Sequence, residues 1–96
     1  MSKVYKIVWS DYLKHRAKLR GYELAEIERI VRFSPERYFD VVTGRNIVIG
    51  KHHDRLVLIP YEVTAGKITP ITIHATTRQQ INFRLHHGRF IYVPAN

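Results

Sequence analysis

Residues 55–63 read Arg-Leu-Val-Leu-Ile-Pro-Tyr-Glu-Val (RLVLIPYEV), and this nearly continuous apolar run decides the fold. A run of this length and composition is typical of the central strand of a sheet. Ala65-Gly66 is a turn signal, and Lys67–His74 follows it as the returning strand. A tight turn places Pro60 and Pro70 at nearly one level, where both lack an N–H group. The sequence therefore predicts one local break in an otherwise regular hairpin.

Two further strands precede this hairpin in the sequence. Arg37–Val42 and Asn46–Lys51 are joined by Thr43-Gly44, a two-residue turn signal. His53-Asp54 then leads into the central strand. Near the amino terminus, Val4–Trp9 alternates between two faces and predicts a first strand.

Three segments carry helix signals. Ser10 suits an N-cap, and Gly21 suits the position just past the end of a weakly apolar first helix. The second helix has one clear apolar face and is stopped by Ser34-Pro35; that face carries Leu24, Ile27, Ile30 and Val31. A third helix is predicted from the capping-box spacing at Thr76–Gln80 to about His87; its apolar face carries Ile81 and Leu85, with Phe83 at the edge.

The predicted fold class is α+β, in a single domain over residues 1–96. Its order is an N-terminal strand, a helical hairpin, a four-stranded antiparallel meander and a C-terminal helix, followed by a short extended segment at Phe90–Val93. The chain has no cysteine, which in a domain this small favours a reducing, cytoplasmic location. No apolar run is long enough to cross a membrane, so no membrane association is expected.

The charge is the most informative number. The chain has sixteen Lys and Arg residues and eight Asp and Glu residues, which gives a net charge of +8. No acidic residue follows Glu62. Such a field attracts polyanions, and aromatic residues interleaved with basic ones suit single-stranded RNA, whose bases stack on rings. The residues expected to bind nucleic acid are Lys14, Arg16, Lys18, Arg20, Arg84 and Arg89.

The six histidines raise the question of a metal site. Both His-His pairs, His52-His53 and His86-His87, are poor chelators in regular structure, because neighbours diverge on a strand and on a helix. There is no HExxH motif, no cysteine and no glycine-rich phosphate loop. The sequence therefore predicts no metal and no cofactor.

The candidate catalytic residues follow from their placement, and they are His74, Arg78, Lys51, Arg55 and Tyr61. His74 ends a strand and Arg78 lies in the first turn of the next helix, whose amide groups favour an anion. Lys51 and Arg55 flank the turn between neighbouring strands. Tyr61 lies on the central strand, and because Pro60 interrupts the pattern, the sequence does not decide which sheet face its side chain occupies. A histidine is the best acid or base at neutral pH, and the cations would stabilise a phosphorane.

Several short motifs, in this order, resemble the RelE/ParE-type toxin superfamily, most of all small BrnT-like proteins and a related family of prokaryotic domains. The motifs are Trp9-Ser10-Asp11, Arg16 with Arg20-Gly21, Leu58–Val63, Ile71–Arg78 and His87–Phe90. The resemblance implies a toxin that cleaves mRNA without a metal and is neutralised by a small acidic antitoxin. Two alternatives stay open: a non-catalytic module that binds RNA or an acidic protein, and a toxin that poisons gyrase.

Overall fold

The computed structural model describes residues 5–93, and within them the chain forms three helices and seven strands. The helices are α1 (Asp11–Arg20), α2 (Leu24–Phe33) and α3 (Arg78–His86). In chain order the strands are β1 (Lys6–Ile7), β2 (Glu36–Asp40), β3 (Arg45–His52), β4 (Arg55–Thr64), β5 (Lys67–Pro70), β6 (His74–Ala75) and β7 (Phe90–Tyr92). The predicted α+β class is confirmed.

The strands form one mixed sheet in the order β1-β5-β4-β3-β2-β7, with β6 paired to β4 beyond the end of β5. The predicted four-stranded antiparallel meander is present, but the sheet of the described residues has seven strands and is mixed. The consecutive antiparallel pairs from β2 to β5 are present, but β1 adds in parallel to β5 and β7 adds antiparallel to β2. The first strand is also shorter than the predicted Val4–Trp9, of which Val4 lies outside the described residues.

The predicted break at the two prolines is confirmed. Tyr61 pairs with Pro70, the last residue of β5, and the Ile71 N–H donates to the Pro60 carbonyl at 2.8 Å. Strand pairing along this edge of β4 then stops and resumes at His74, which pairs with Leu58 and is the first residue of β6. The break therefore divides the predicted strand Lys67–His74 into two and places His74 on the same edge of β4 as β5.

One face of the sheet, called the hairpin face here, packs against α1 and α2. Its buried strand residues include Val48, Val57 and Ile59, which contact Ile27 and Ile30 of α2 within one apolar cluster. The expected apolar stripe of α2 is confirmed, because Ile27, Ile30 and Val31 are all buried. Helix α1 contributes only Leu13 and Ala17 to this cluster, so most of its basic side chains remain in solvent.

The opposite face, called the cleft face here, is covered only in part. Ile81 of α3 packs with Ile49 and Leu58 in a second, smaller cluster. Of the expected apolar face of α3, Ile81 is buried, Leu85 is half-buried, and Phe83 is 63% exposed, so its assignment to the apolar edge was wrong. One nine-residue helix cannot cover a sheet this wide, and the uncovered part forms an open cleft beside it.

Local signals fixed the helix ends as expected. The Leu13 N–H donates to the Ser10 hydroxyl at 3.1 Å, and Gly21 closes α1 with a φ of +75°. The Gln80 N–H donates to the Thr77 hydroxyl at 3.1 Å, which starts α3. No helix within residues 5–93 has the length and apolar character needed to span a membrane.

Candidate functional site

The cleft lies on the cleft face between α3 and the sheet, and its volume is about 480 Å³. Its floor is apolar and is formed by residues such as Ile47, Leu58, Pro60 and Phe90. Its polar lining combines hydroxyl, amide, imidazole, guanidinium and carboxylate groups; the lining includes Asp40, Thr43, Arg45, Thr72, His74, Thr76, Gln80, Arg84 and Arg89. An apolar floor with a cationic rim suits a ligand that carries both rings and phosphates.

His74 lies in this cleft because β6 presents it there. Antiparallel partners share a face, and its partner Leu58 belongs to the apolar cluster beneath α3. Its side chain is half-buried. It is the one histidine that lines the cleft among the described residues. His74 was predicted to end the returning strand; that strand ends at Pro70 instead, and His74 is the first residue of the short β6, which precedes α3.

Three arginines from two helices lie near enough to His74 for their charges to lower its pKa, and we call these four residues the His74 cluster. Two of them, Arg16 and Arg20 of α1, do not line the cleft. Arg84 of α3 lines the cleft, with its guanidinium 5.6 Å from the centre of the Phe90 ring. Arg20 of α1 donates to the Ile73 carbonyl at 3.3 Å, and Arg16 donates to the Tyr12 hydroxyl at 2.9 Å. Within residues 5–93 none of the three arginines forms an ion pair with a carboxylate, so their charges stay available to an anion.

The environment of His74 favours its neutral form. Burial is the largest cause of its lowered pKa, and the charges of Arg16, Arg20 and Arg84 act in the same direction. Its pKa therefore lies below the ordinary value of 6.5. At neutral pH the imidazole is unprotonated and has a lone pair to accept a proton, which is the state that a general base needs.

We expect the His74 ring to titrate below pH 6.5 in an NMR titration, and Arg84→Gln to raise its pKa, because that change removes a neighbouring positive charge. The neutral form is present above the folded-state pKa and is lost as the pH falls through it. Arg29→Gln is the matched control, since Arg29 bonds Glu26 on α2. A His74 pKa at or above 6.5, or equal shifts in both variants, would contradict the cluster.

Two other arginines of the cleft are already paired with carboxylates. Arg89 makes a two-point contact with Asp40 at 3.1 and 3.0 Å, and the Asp40 side chain is only 4% exposed. Burial alone would raise the pKa of Asp40, but the bonds from Arg89 and the Val42 N–H outweigh it and lower that pKa. Arg89 was predicted to bind nucleic acid, but in the structure its guanidinium is bonded to the Asp40 carboxylate.

Arg45 is the second paired arginine, and its Nη1 lies 2.8 Å from Glu62 Oε1. Both side chains are partly exposed, so the pair is weak and a polyanion can compete with Glu62 for the guanidinium. Sequence reasoning did not select Arg45 as a functional residue.

Arg78 does not join His74 in the cleft. It makes a bidentate ion pair with Glu36 at 2.5 and 2.7 Å, and Glu36 also accepts from the Tyr38 hydroxyl. The bond from Arg78 is the largest cause of the lowered pKa of Glu36. Burial and the bond to Glu36 raise the pKa of Tyr38 to about 12. Arg78 thus ties α3 to β2, and its charge is neutralised there.

The remaining three candidate catalytic residues also lie outside the cleft. Tyr61 continues the alternation of Val57 and Ile59 and is buried on the hairpin face, where the Arg37 guanidinium lies 5.4 Å from the centre of its ring. Arg55 lies over the ring of Tyr22, 4.5 Å from its centre. Lys51 is exposed on β3 and does not line the cleft. The five predicted residues therefore do not form one constellation, because the sheet separates Tyr61 and Arg55 from His74.

The four residues of α1 predicted to bind nucleic acid lie outside the cleft lining; they are Lys14, Arg16, Lys18 and Arg20. Lys14 and Lys18 are exposed, and Lys14 lies 3.6 Å from Asp11, one turn before it on the helix. Arg16 and Arg20, by contrast, belong to the His74 cluster. Because each residue of a helix turns by about 100°, Lys14 and Lys18 lie on the side of α1 opposite to Arg16 and Arg20.

The expected anion site at the start of α3 is partly used by the protein itself. The Thr76 N–H donates to the Leu56 carbonyl at 3.0 Å, and the Gln80 N–H donates to the Thr77 hydroxyl. These amides hold β6 and cap the helix. The electrostatic attraction for an anion in the cleft therefore rests mainly on arginine side chains.

One group of side chains outside the cleft has the composition of a metal site, namely Glu23, His52 and His53, whose ligand atoms lie within 4.8 Å of one another. The prediction that His52 and His53 diverge was wrong, because His53 has a φ of +56° and the two ring centres are 4.8 Å apart. These atoms already serve the fold. His52 Nε2 accepts from the Glu23 N–H at 2.9 Å, which satisfies an amide at the start of α2, and His53 Nε2 lies 2.5 Å from Glu23 Oε2.

Arg84 was predicted to bind nucleic acid, and it lines the cleft. Sequence reasoning did not select Gln80, although a signal for it exists on α3. Ile81 and Leu85 mark the buried stripe of that helix, so Gln80 and Arg84, each one position earlier, must flank the stripe along the sheet. No such local signal identifies Arg45, because only the pairing of β2 with β3 brings it to the cleft.

Comparisons with known proteins add no relative to these observations: no protein-family model, curated protein or solved structure matches the chain.

Proposed function

We propose that the protein is a metal-independent endoribonuclease that cleaves single-stranded RNA in the cleft. The observation that carries the proposal is the His74 cluster, in which a half-buried histidine shares the cleft with Arg84 and has its pKa lowered by burial and by the charges of Arg16, Arg20 and Arg84. A neutral imidazole beside several fixed cations is the combination that transesterification of RNA requires.

In the proposed reaction the 2′-hydroxyl of one nucleotide attacks the phosphorus of the adjacent phosphate. His74 takes the hydroxyl proton, the new 2′-O–P bond forms, and the P–O5′ bond breaks. The leaving 5′-oxygen takes a proton from a solvent water molecule, and the hydroxide formed takes the proton from His74, which restores the neutral imidazole. The products are a 2′,3′-cyclic phosphate and a 5′-hydroxyl end. Arg84, which lines the cleft, stabilises the negative charge that grows on the phosphorane oxygens, and the charges of Arg16 and Arg20 add to the positive potential there.

The resemblance to RelE/ParE-type toxins supports a place for this activity in a toxin–antitoxin pair. The net charge of +8 favours a small acidic antitoxin as the partner, because an acidic segment across the cleft and the Arg16 and Arg20 side of α1 would neutralise both. Such a partner would block access of RNA to His74. The same surfaces would therefore serve the substrate and its inhibitor.

A second function is favoured by one observation of its own. Within the cleft lining, His74 is the one side chain suited to accept a proton at neutral pH, since Asp40 is held in its ion pair with Arg89. No second acid stands ready for the leaving oxygen. A cleft of this kind also suits a non-catalytic module that binds RNA through arginines and an apolar floor.

Expression in cells with mRNA followed over time separates the two functions. We expect the endoribonuclease to fragment cellular mRNA and arrest growth, and co-expression of an acidic antitoxin to restore growth. Intact mRNA and normal growth, together with RNA affinity that falls steeply with salt in vitro, would select the binding module. Affinity that is flat between low and physiological salt would remove RNA as the ligand in either case.

A further inference from the structure

The outer side of α3 carries an aromatic ring with no place in either apolar cluster. The Phe83 side chain is 63% exposed, and its ring centre lies 4.2 Å from that of His87, one helical turn further on. The two rings are tilted by 49° and form a small aromatic surface in solvent. The fold gains little from Phe83 in this position, because α3 is anchored by Ile81 instead.

This aromatic surface borders a shallow depression that continues the cleft. The depression is lined by Gln79, Gln80, Phe83, Arg84, His87 and Arg89, and three of these residues, Gln80, Arg84 and Arg89, also line the cleft. Arg84 therefore stands between His74 on one side and Phe83 on the other. A phosphate held by Arg84 would place the neighbouring nucleotide over the aromatic surface.

We propose that Phe83, with His87, forms a stacking subsite for one unpaired base of the RNA whose phosphate lies at Arg84. The proposal rests on the proposed function, because it needs single-stranded RNA in the cleft. Every base has a π-face, so an exposed ring beside cations binds single strands with little sequence preference. The side-chain amides of Gln79 and Gln80 at the rim can donate to and accept from the base edge.

The immediate surroundings of Phe83 favour a nucleotide as the occupant. The other residues of the depression are two amides, two guanidinium groups and an imidazole, and none is aliphatic or acidic. An aromatic surface beside guanidinium groups complements a base and its phosphates, whereas docking of an apolar protein surface would need further apolar area around Phe83.

The test measures binding rather than cleavage, by fluorescence anisotropy with a short 2′-O-methyl oligonucleotide, which cannot undergo attack by a 2′-hydroxyl. A second oligonucleotide of equal length carries abasic sites and keeps all its phosphates. We expect Phe83→Ala to weaken binding of the base-containing strand about tenfold, Phe83→Trp to restore it, and the salt dependence to stay unchanged. The abasic strand should bind parent and Phe83→Ala equally.

Phe33→Ala is the matched control, because Phe33 is 76% exposed at the end of α2 and lies outside the cleft and the depression. We expect it to bind both strands like the parent. Equal affinity of parent and Phe83→Ala for the base-containing strand would overturn the stacking subsite alone. Failure of the parent to bind either strand at low salt would overturn the subsite and the proposed function together.

Discussion

Replacement of His74 by alanine is expected to lower the rate of RNA cleavage by roughly 10²–10⁴-fold, the range that one general base supplies. The physical reason is that His74 is the one group in the cleft lining whose neutral form is favoured at neutral pH. The rate is measured on a defined single-stranded RNA with purified protein. Binding of RNA should change little, because the arginines of the His74 cluster remain.

His15→Ala is the control for this variant, since His15 is exposed on α1 and does not line the cleft. It should cleave at the parent rate, and thermal melting should show that both variants are folded. Equal cleavage by the parent and His74→Ala would place the reaction elsewhere in the molecule.

Replacement of Ile27 by aspartate is expected to unfold the protein at room temperature. Ile27 is completely buried where α2 packs on the hairpin face, and the change places a carboxylate there without a partner. Its cost should exceed about 5 kcal/mol, which is comparable to the whole stability of a domain this small. Circular dichroism during heating measures the effect.

The matched change at the same position is Ile27→Val, which removes one methylene group without adding a charge. It should lower the free energy of unfolding by only about 1 kcal/mol and leave a cooperative transition. An Ile27→Asp protein that melts at the parent temperature would show that the hairpin face is not the core.

The parts of the fold that sequence predicted are those governed by local chemistry. Ser10, Gly21 and Thr77 mark helix ends through their own hydrogen bonds and backbone angles, and each does so in the structure. The pairing of Tyr61 with Pro70 follows from the turn between their strands. The parallel addition of β1 to β5 and the addition of β7 to β2 join segments distant in sequence, so no local pattern predicts them.

The candidate site was predictable to a smaller degree. His74 was found because its strand ends beside a helix, but the face of Tyr61 was left open by Pro60, and the structure shows that the alternation simply continues through the proline. The Arg78 side chain is bonded to Glu36, 42 residues away in sequence. Contacts of this kind depend on tertiary packing, which residue type and spacing along the chain do not predict.

The most direct test of the central claim is cleavage of a defined RNA whose single cleaved position is then replaced by a 2′-deoxynucleotide, with and without EDTA. We predict that the parent cleaves the all-ribose strand equally well in EDTA and leaves a 2′,3′-cyclic phosphate and a 5′-hydroxyl. The substituted strand should bind with similar affinity and remain intact at that position. Cleavage of the substituted strand at that position, 5′-phosphate products, or loss of activity in EDTA would contradict the account.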